Sequence, residues 1–588
     1  MTEKLKKIFS FRTLLILGIA ACFLCIVPFS KNLIVKLMET CVLHRELRDF
    51  QKWDDILVHS MTFFALIGIF WFFFQYTNKG SGIRKSIYGT ASGAFKVENA
   101  LKYLIAIAVI YFIAYSALIR ANYEYADDIR RCYAGHKAWV GWSRYVSEIL
   151  AVFLHTNFFI NDISPLTQLW TIIVLTVTSF LLAYIVTEKQ LTKLSVAVST
   201  TAGLSIYFLA NFSYKYDCPY MALSMLFGIL PFLFVEKKID FIFVSLISLI
   251  LVCTSYQAAN GIYIILAIFT AFKMWLKNRK FSEIAVFAGI SIACYVVALV
   301  FFRLFLMNHF ASSMDSRGTE ISMGMNALKM IKENYKLYAV YAVNLCGNTW
   351  IKALLILWTV LFPVTSILNR GQRSIWSTIL MSLAVLFGMF SLTLGAYLVL
   401  SEALITNRTF LGFDIFIAIL AIYAVSGLKN PLSLRRFTSV MAVCFVYGLI
   451  VEAVVYGNFI QKQKEYENFR FSILANDLSK IVNFDQPNSI YIGGITGMPG
   501  KSRMERKNYP ILGGSVSPVL TKYIIKGYNM DFEFLSEYTL EELDALPEFK
   551  KQLTDLPMIE DTFYHTIYGK GNQYYVYLKY PMINEGLL

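Results

Sequence analysis

The stretch YEYADDIRRCYAGHKAWVGWSRY, Tyr123 to Tyr145, sets two adjacent carboxylates, Asp127 and Asp128, among Arg130, Arg131, Arg144 and a row of aromatic residues. A carboxylate within hydrogen-bond reach of a hydroxyl can take its proton. A guanidinium can grip phosphate oxygens with a bidentate fork. The bland alternative is a solvated turn in which Asp127 pairs with Arg131 four residues on, worth about 0.2–0.5 kcal/mol. In that alternative Tyr123, Tyr125, Trp139 and Trp142 are interfacial anchors.

The company these residues keep weighs against the bland alternative. The same segment continues as SEILAVFLHTNFFINDISPLTQLW, amphipathic and too short to span a bilayer, and reaches Asp162 at a Ser-Pro-Leu helix entry. Further along, NFSYKYDCPYM carries Asp217, SYQAANG carries Tyr256 and Gln257, and SEALITNRTF carries Glu402 and Arg408. Singly, each suits a helix cap or a snorkelling side chain. Together they put acids, an amide and cations at helix ends on one side, and ionisable clusters bordering a membrane are functional by default.

The elements that must position them are membrane helices. The 588 residues are 57% hydrophobic and 16% charged, whereas soluble domains carry about 25% charged residues. Apolar runs of spanning length predict an all-α polytopic membrane protein with about thirteen transmembrane helices. They fall near 12–29, 57–75, 101–119, 167–187, 193–211, 219–235, 239–254, 258–275, 283–306, 352–368, 374–400, 408–427 and 437–457. Alternate connectors (NKGSGIRKS, TEKQLTK, EKK, KMWLKNRK, NRGQRS, LKNPLSLRR) are short and rich in Lys and Arg, which places them in the cytoplasm. The segments 120–166, 212–218, 255–257, 308–350 and 401–408 then lie outside, as does the tail after Tyr456. The expected division is a membrane domain over 1–457 and an extracytoplasmic C-terminal domain over 458–588. Alternating stretches such as SIYIGGI and YYVYLKY, with the helix-like EYTLEELDALPEFKKQL between them, predict a small α/β fold there.

Composition also excludes classes. The net charge of +15 resides in the membrane part, since acids outnumber bases beyond Ile460, so it is the positive-inside bias and no nucleic-acid footprint. The nine cysteines include no CxxC pair and no Cys/His metal spacing; Cys22, Cys25, Cys253, Cys294 and Cys444 read as small apolar packing residues. The apolar run beginning at Leu14 continues through FLCIVPF, which favours a retained anchor over a cleaved leader.

The ordered set YADDIRR, then WSR, NDISPL, NFSYKYD, SYQA and NRTF over residues 100–420 resembles the GtrII-type glucosyltransferases, bacterial membrane enzymes of the GT-C architecture that decorate O-antigen and similar surface polymers. The resemblance implies a sugar donor carried on polyprenyl phosphate, an inverting transfer to a surface glycan, a multi-pass location in the inner membrane, and an active site facing away from the cytoplasm. It puts Asp127 and Asp128 in the place of the acidic motif of the first large outer loop, here within 120–166, and matches Arg131, Arg144, Asp162 and Asp217 to the charged positions that follow. This chain departs by placing that loop after the third helix, and by Ser143 where a glycine is expected.

Such a transfer needs a carboxylate base, for which Asp127 is the expected residue with Asp128 orienting it. It also needs cations that receive the leaving lipid phosphate: Arg131, Arg144 and Arg408, with Arg130, Asp162, Asp217, Tyr256, Gln257 and Glu402 as further substrate or phosphate contacts. A metal could bridge acids and phosphate, but no closed ligand set is visible and no cofactor is expected. Other readings stay open: a lipid-linked glycan transporter or flippase, for which repeat symmetry and a central charged path are missing; a surface-polymer polymerase or ligase; and a non-catalytic assembly partner.

Overall fold

The computed structural model describes residues 50–135, 137–307, 325–346, 348–427, 430–483, 488–494, 496–502, 505, 524–525, 527–528, 530 and 556–579. The expected span 12–29 and the helix-like stretch at 537–553 lie outside the described residues. Among those described, eight helices are long and apolar enough to cross a membrane, or nine if the bent pair Lys193–Leu204 and Ile206–Ser213 is one span. The chain is a helical membrane protein. Three more of the expected segments form shorter apolar helices, Cys218–Phe234, Ile375–Ser391 and Leu411–Ser426. Thirteen full crossings is thus more than the described residues display.

The shortfall has local causes. At Ser205 the chain leaves helical geometry and bends by 57°, with the Ser205 hydroxyl accepting the Tyr207 N–H at 3.3 Å as a new helix cap. The expected span 374–400 stops at Ser391. The chain then makes a tight turn at Gly395–Val399 and another at Asn407–Thr409 before Leu411 resumes the helix. That excursion is buttressed by Met325–Leu345, a helix where only a connector was expected. From it Asn334 donates to the carbonyls of Leu398 and Leu400 at 3.2 and 2.8 Å, and the Leu404 N–H donates to the Tyr338 hydroxyl at 2.8 Å. The connector NKGSGIRKS likewise lies in a helix, Asn78–Ala94, capped by Thr77.

The two ends of the bundle differ in chemistry. At one end the basic connectors meet each other: Lys273 and Lys277 both reach Glu188, at 3.3 and 2.5 Å. There too Arg279 reaches Glu236 at 3.4 Å, and Lys237 donates to Ser86 and Thr90, each at 3.0 Å. At the other end gather the segments around Asp127, Asp217, Gln257 and Arg408.

The last helix, Leu432–Ile481, runs unbroken for 50 residues, or about 75 Å, against a hydrocarbon core of about 30 Å. The domain boundary expected at 457/458 falls inside it. It lies along Ala100–Ala121, and Gly457 permits the contact: a Cβ there would clash with the backbone nitrogen of Leu118. Its far end packs Phe471, Leu474 and Leu478 against Ile490, Ile567, Val576 and Leu578 of a four-stranded sheet. The strands are β1 (Ser489–Gly494), β2 (Met558–Asp561), β3 (His565–Lys570) and β4 (Gln573–Leu578), in the order β1-β4-β3-β2 with β1 parallel to β4 and the rest antiparallel. SIYIGG and QYYVYL thus form neighbouring strands. The buried Arg470 staples helix to sheet by donating to the carbonyls of Thr496, Tyr564 and Lys579 at 2.6, 2.6 and 2.9 Å.

Candidate active site

The acid pair opens a short helix, Asp127–Ala134. Carboxylates suit a helix N-terminus because the unpaired N–H groups there carry positive charge. Gly135, at φ +64°, closes the helix in the left-handed conformation with its N–H on the Arg131 carbonyl at 2.8 Å. Ala126, just ahead of the acids, is held at φ +49°, a conformation that costs a residue with a Cβ about 1–3 kcal/mol. The entry to the acids is therefore strained.

Asp127 faces outward, its side chain 54% exposed. Its Oδ2 accepts from Arg408 at 3.1 Å. Burial of its surroundings works against the charge, but Arg408, Arg131 and Arg144 outweigh it and hold the carboxyl below the usual carboxylate range. Asp127 is thus ionised at neutral pH and reachable. Its neighbour is the opposite case. Asp128 is fully buried; Oδ2 accepts the Lys215 backbone N–H at 2.8 Å, and Oδ1 has no hydrogen-bond partner. Burial, reinforced by Asp217, pushes its carboxyl well above the ordinary range despite Arg131 and Lys215. Two consecutive acids on one helix thus face opposite environments, one exposed beside cations and the other buried.

Arg131 does not pair with Asp127. It reaches across to Asp217, whose other carboxylate oxygen accepts the indole N–H of Trp139. The guanidinium lies 4.5 Å from the centroid of the Trp139 ring. Asp217 precedes the helix Cys218–Ile229 but makes no capping bond to it, because both of its oxygens are engaged by the loop. Trp139 is fully buried and is therefore no lipid-facing anchor, whereas Trp142 remains exposed.

Arg144 follows Ser143, which sits at φ +59° and is buried. This left-handed position explains why glycine would be expected there. The Arg144 Nε donates to Gln257 Oε1 at 3.1 Å, while the Gln257 amide donates to the Trp142 carbonyl at 2.8 Å. The guanidinium of Arg144 stacks 4.6 Å from the Tyr256 ring, and that of Arg408 lies 5.0 Å from the Tyr214 ring. The Arg408 carbonyl accepts from Asn211 at 3.0 Å and from the Tyr256 hydroxyl at 3.1 Å. Each of the three arginines thus rests on an aromatic face, and the aromatic rows in the sequence acquire a task.

Asp162 joins through a residue that sequence reasoning missed. Lys215, 1% exposed, donates its ammonium to Asp162 at 2.7 Å and to Glu124 at 2.8 Å. Burial disfavours its charge, yet Glu124 and Asp162 raise its pKa above the usual lysine value. The available signal was a single lysine between two tyrosines and two residues from Asp217. Arg130 and Glu402 are exposed, and no described contact ties either to the cluster. Among the described residues no group of three or more His, Cys, Asp or Glu side chains could hold a metal ion.

The geometry therefore assembles an ionised, exposed acid, a buried acid beside it and aromatic-backed arginines, drawn from segments between Tyr123 and Arg408. Those limits fall within residues 115–425, which match the family described as Glucosyl transferase GtrII. That match covers more than half of the chain. The chain belongs to the GtrII glucosyl transferase family. No curated protein and no solved structure gives a match. Membership supports a glycosyltransferase activity with a sugar donor and a glycan acceptor, and the family region ends before the long helix that carries the C-terminal sheet.

Proposed function

We propose that this GtrII member is an inverting glucosyltransferase of the bacterial inner membrane. It would take glucose from a polyprenyl-phosphate donor and attach it to a surface glycan of the O-antigen kind, at the extracytoplasmic end of the bundle. Asp127 takes the proton of the acceptor hydroxyl as that oxygen bonds to the anomeric carbon. The bond from that carbon to the phosphate oxygen breaks, and its electron pair leaves with the polyprenyl phosphate. Attack from the face opposite the phosphate inverts the anomeric centre. Arg408 and Arg144 receive the growing phosphate charge, and their aromatic supports keep them oriented before it develops. Asp128 acts by holding the helix on which Asp127 stands. No cofactor enters this scheme.

The observation that carries the reading is the pairing of an exposed, ionised Asp127 with Arg408 at 3.1 Å. A base and a phosphate-binding cation side by side match a reaction in which both bonds change at one carbon. A lipid-linked donor needs such a centre at helix ends, because its phosphate stays at the headgroup level while its tail stays in the bilayer. The test uses the purified full-length protein, polyprenyl-phosphate glucose and an acceptor glycan. Asp127→Asn should lower turnover by about 10²–10⁴-fold with normal expression. Near-native turnover in that variant, or no transfer by the wild type from any lipid-phosphate sugar, would reject the reading.

A further inference from the structure

The turn Tyr214–Asp217 joins the bent pair of helices to Cys218–Ile229, and all four of its side chains touch the outer loop or its partners. Tyr214 lies edge to face with Tyr125, the ring centroids 5.0 Å apart, and carries Arg408 on its ring. Tyr216 packs into a small apolar cluster with Trp139, Ala151 and Ile160. Asp217 takes Arg131 and Trp139. Lys215 does something none of the others does. Its ammonium binds Glu124 at 2.8 Å and Asn122 at 3.4 Å where the loop begins, and Asp162 at 2.7 Å where it ends. Its backbone N–H binds Asp128 at 2.8 Å in between.

We propose that Lys215 is a positioning residue for the transfer: its ammonium closes the base of the outer loop while its backbone N–H anchors Asp128, and together these set where Asp127 stands. The inference rests on the reading of Asp127 as the base. A charge buried to 1% exposure is strongly disfavoured unless it is paired and hydrogen-bonded, so Lys215 stays in place only while both ends of the loop meet it. Conversely, Glu124 and Asp162 have no other cation within ion-pairing distance among the described residues. The short helix with the acids is tied down on one side by Lys215 and on the other by Asp217. Two polar anchors from one rigid turn hold an element too short to be stable alone. Without the ammonium the two ends of the loop are no longer joined, and the acid end of the helix can shift within the slack left by the Lys215 backbone N–H and the Arg131–Asp217 pair. Displacement of a base by about 1 Å costs about 100-fold in rate.

The experiment compares Lys215→Met and Lys215→Arg in the full-length protein with polyprenyl-phosphate glucose and acceptor glycan. Turnover, donor and acceptor KM, and the thermal unfolding midpoint in detergent are read together. Lys215→Met should lower kcat by about 10–100-fold with donor KM changed by less than about threefold, because Arg408 is held from outside the loop. Lys215→Arg, which can still bridge two carboxylates, should recover kcat to within about threefold of wild type. A purely structural role predicts another pattern: activity lost only in proportion to folded protein, with unchanged kcat per folded molecule. That pattern would overturn the proposal. If Lys215→Met does not fold, the double variant Glu124→Ala and Asp162→Ala removes the same bridge from its other side, and wild-type kcat in that variant would overturn it equally. The outcomes separate from the parent reading. Near-native turnover in Asp127→Asn ends the reading of the base, whereas an inactive Asp127→Asn beside a fully active Lys215→Met ends only the role of Lys215.

Discussion

Asp127 and Arg408 stand 281 residues apart in the chain and meet at 3.1 Å. The meeting is organised from the arginine's side. Its backbone carbonyl is held by Asn211 and Tyr256 and its guanidinium lies over Tyr214, so two other segments fix it before Asp127 arrives. Asp127 is brought to it by a short helix seated on the turn Tyr214–Asp217. The candidate base and the candidate phosphate cation therefore share one hydrogen bond.

That sharing predicts a pH response. Arg408 is the largest influence holding the Asp127 carboxyl below the usual range against burial. In the proposed mechanism the ionised acid is the base, so activity falls as pH drops through its pKa. Arg408→Ala removes a positive neighbour, the pKa rises, and the acid limb of kcat/KM moves to higher pH, alongside a loss of about 10²–10³-fold in rate. Rate profiles from about pH 2.5 to 8, which reach below the ordinary carboxylate range, check this. An acid limb in the same place would mean that Asp127 is not the titrating group.

Asp128 predicts a stability response of the other sign. Its folded pKa is raised, so protonation favours the fold. That contribution is present below the ordinary carboxylate range and is lost as pH rises through the raised value. Asn imitates the protonated acid at every pH and keeps an oxygen for the Lys215 N–H. The unfolding temperature of Asp128→Asn relative to wild type should therefore climb between pH 4 and pH 8. A difference that stays constant with pH would show that the charged carboxylate is accommodated.

Trp139→Phe keeps an aromatic face under Arg131 but deletes the indole N–H that donates to the buried Asp217. Loss of a hydrogen bond to a buried charge should cost about 1–3 kcal/mol. Trp139→Ala should cost about 3–5 kcal/mol, since it also leaves a cavity. Denaturation in detergent ranks the two. Equal effects would leave the hydrogen bond without measurable weight.

Ala126→Gly should stabilise. The alanine's φ of +49° costs about 1–3 kcal/mol, whereas glycine's extra unfolded freedom costs about 0.5–1 kcal/mol. The net gain is up to about 2 kcal/mol, and the acids that follow keep their place. A lowered unfolding temperature would show that the strain is absent in the native protein.

Much of the site was legible because acids and arginines at helix ends are unusual in so apolar a chain. Asp127, Asp128, Arg131, Arg144, Asp162, Asp217, Tyr256, Gln257 and Arg408 all fall in one connected cluster. Arg130 shares the motif with its neighbours but points elsewhere on the helix, and Glu402 sits in an exposed turn. Lys215 escaped because its weight lies in three distant partners, and nothing local marks it apart from its charge. The continuation of the last helix past Tyr456 was hidden by its change of solvent. The residues turn polar where the helix leaves the apolar bundle, although the backbone does not break.

By itself the amino-acid sequence determined the membrane helices, since a bilayer leaves a spanning backbone little choice but to satisfy its own hydrogen bonds under apolar side chains. It also determined the charge of the basic connectors and two of the four strands of the C-terminal sheet, β1 and β4, which follow from hydropathy, charge and alternation over short windows. Only the tertiary structure decided which charge meets which. Arg131 lies four residues from Asp127 and pairs with Asp217; Asp127 pairs with Arg408; Asp128 turns inward to Lys215. Pairing depends on which helix ends share a bundle end and how far each is buried, and local spacing contains neither quantity.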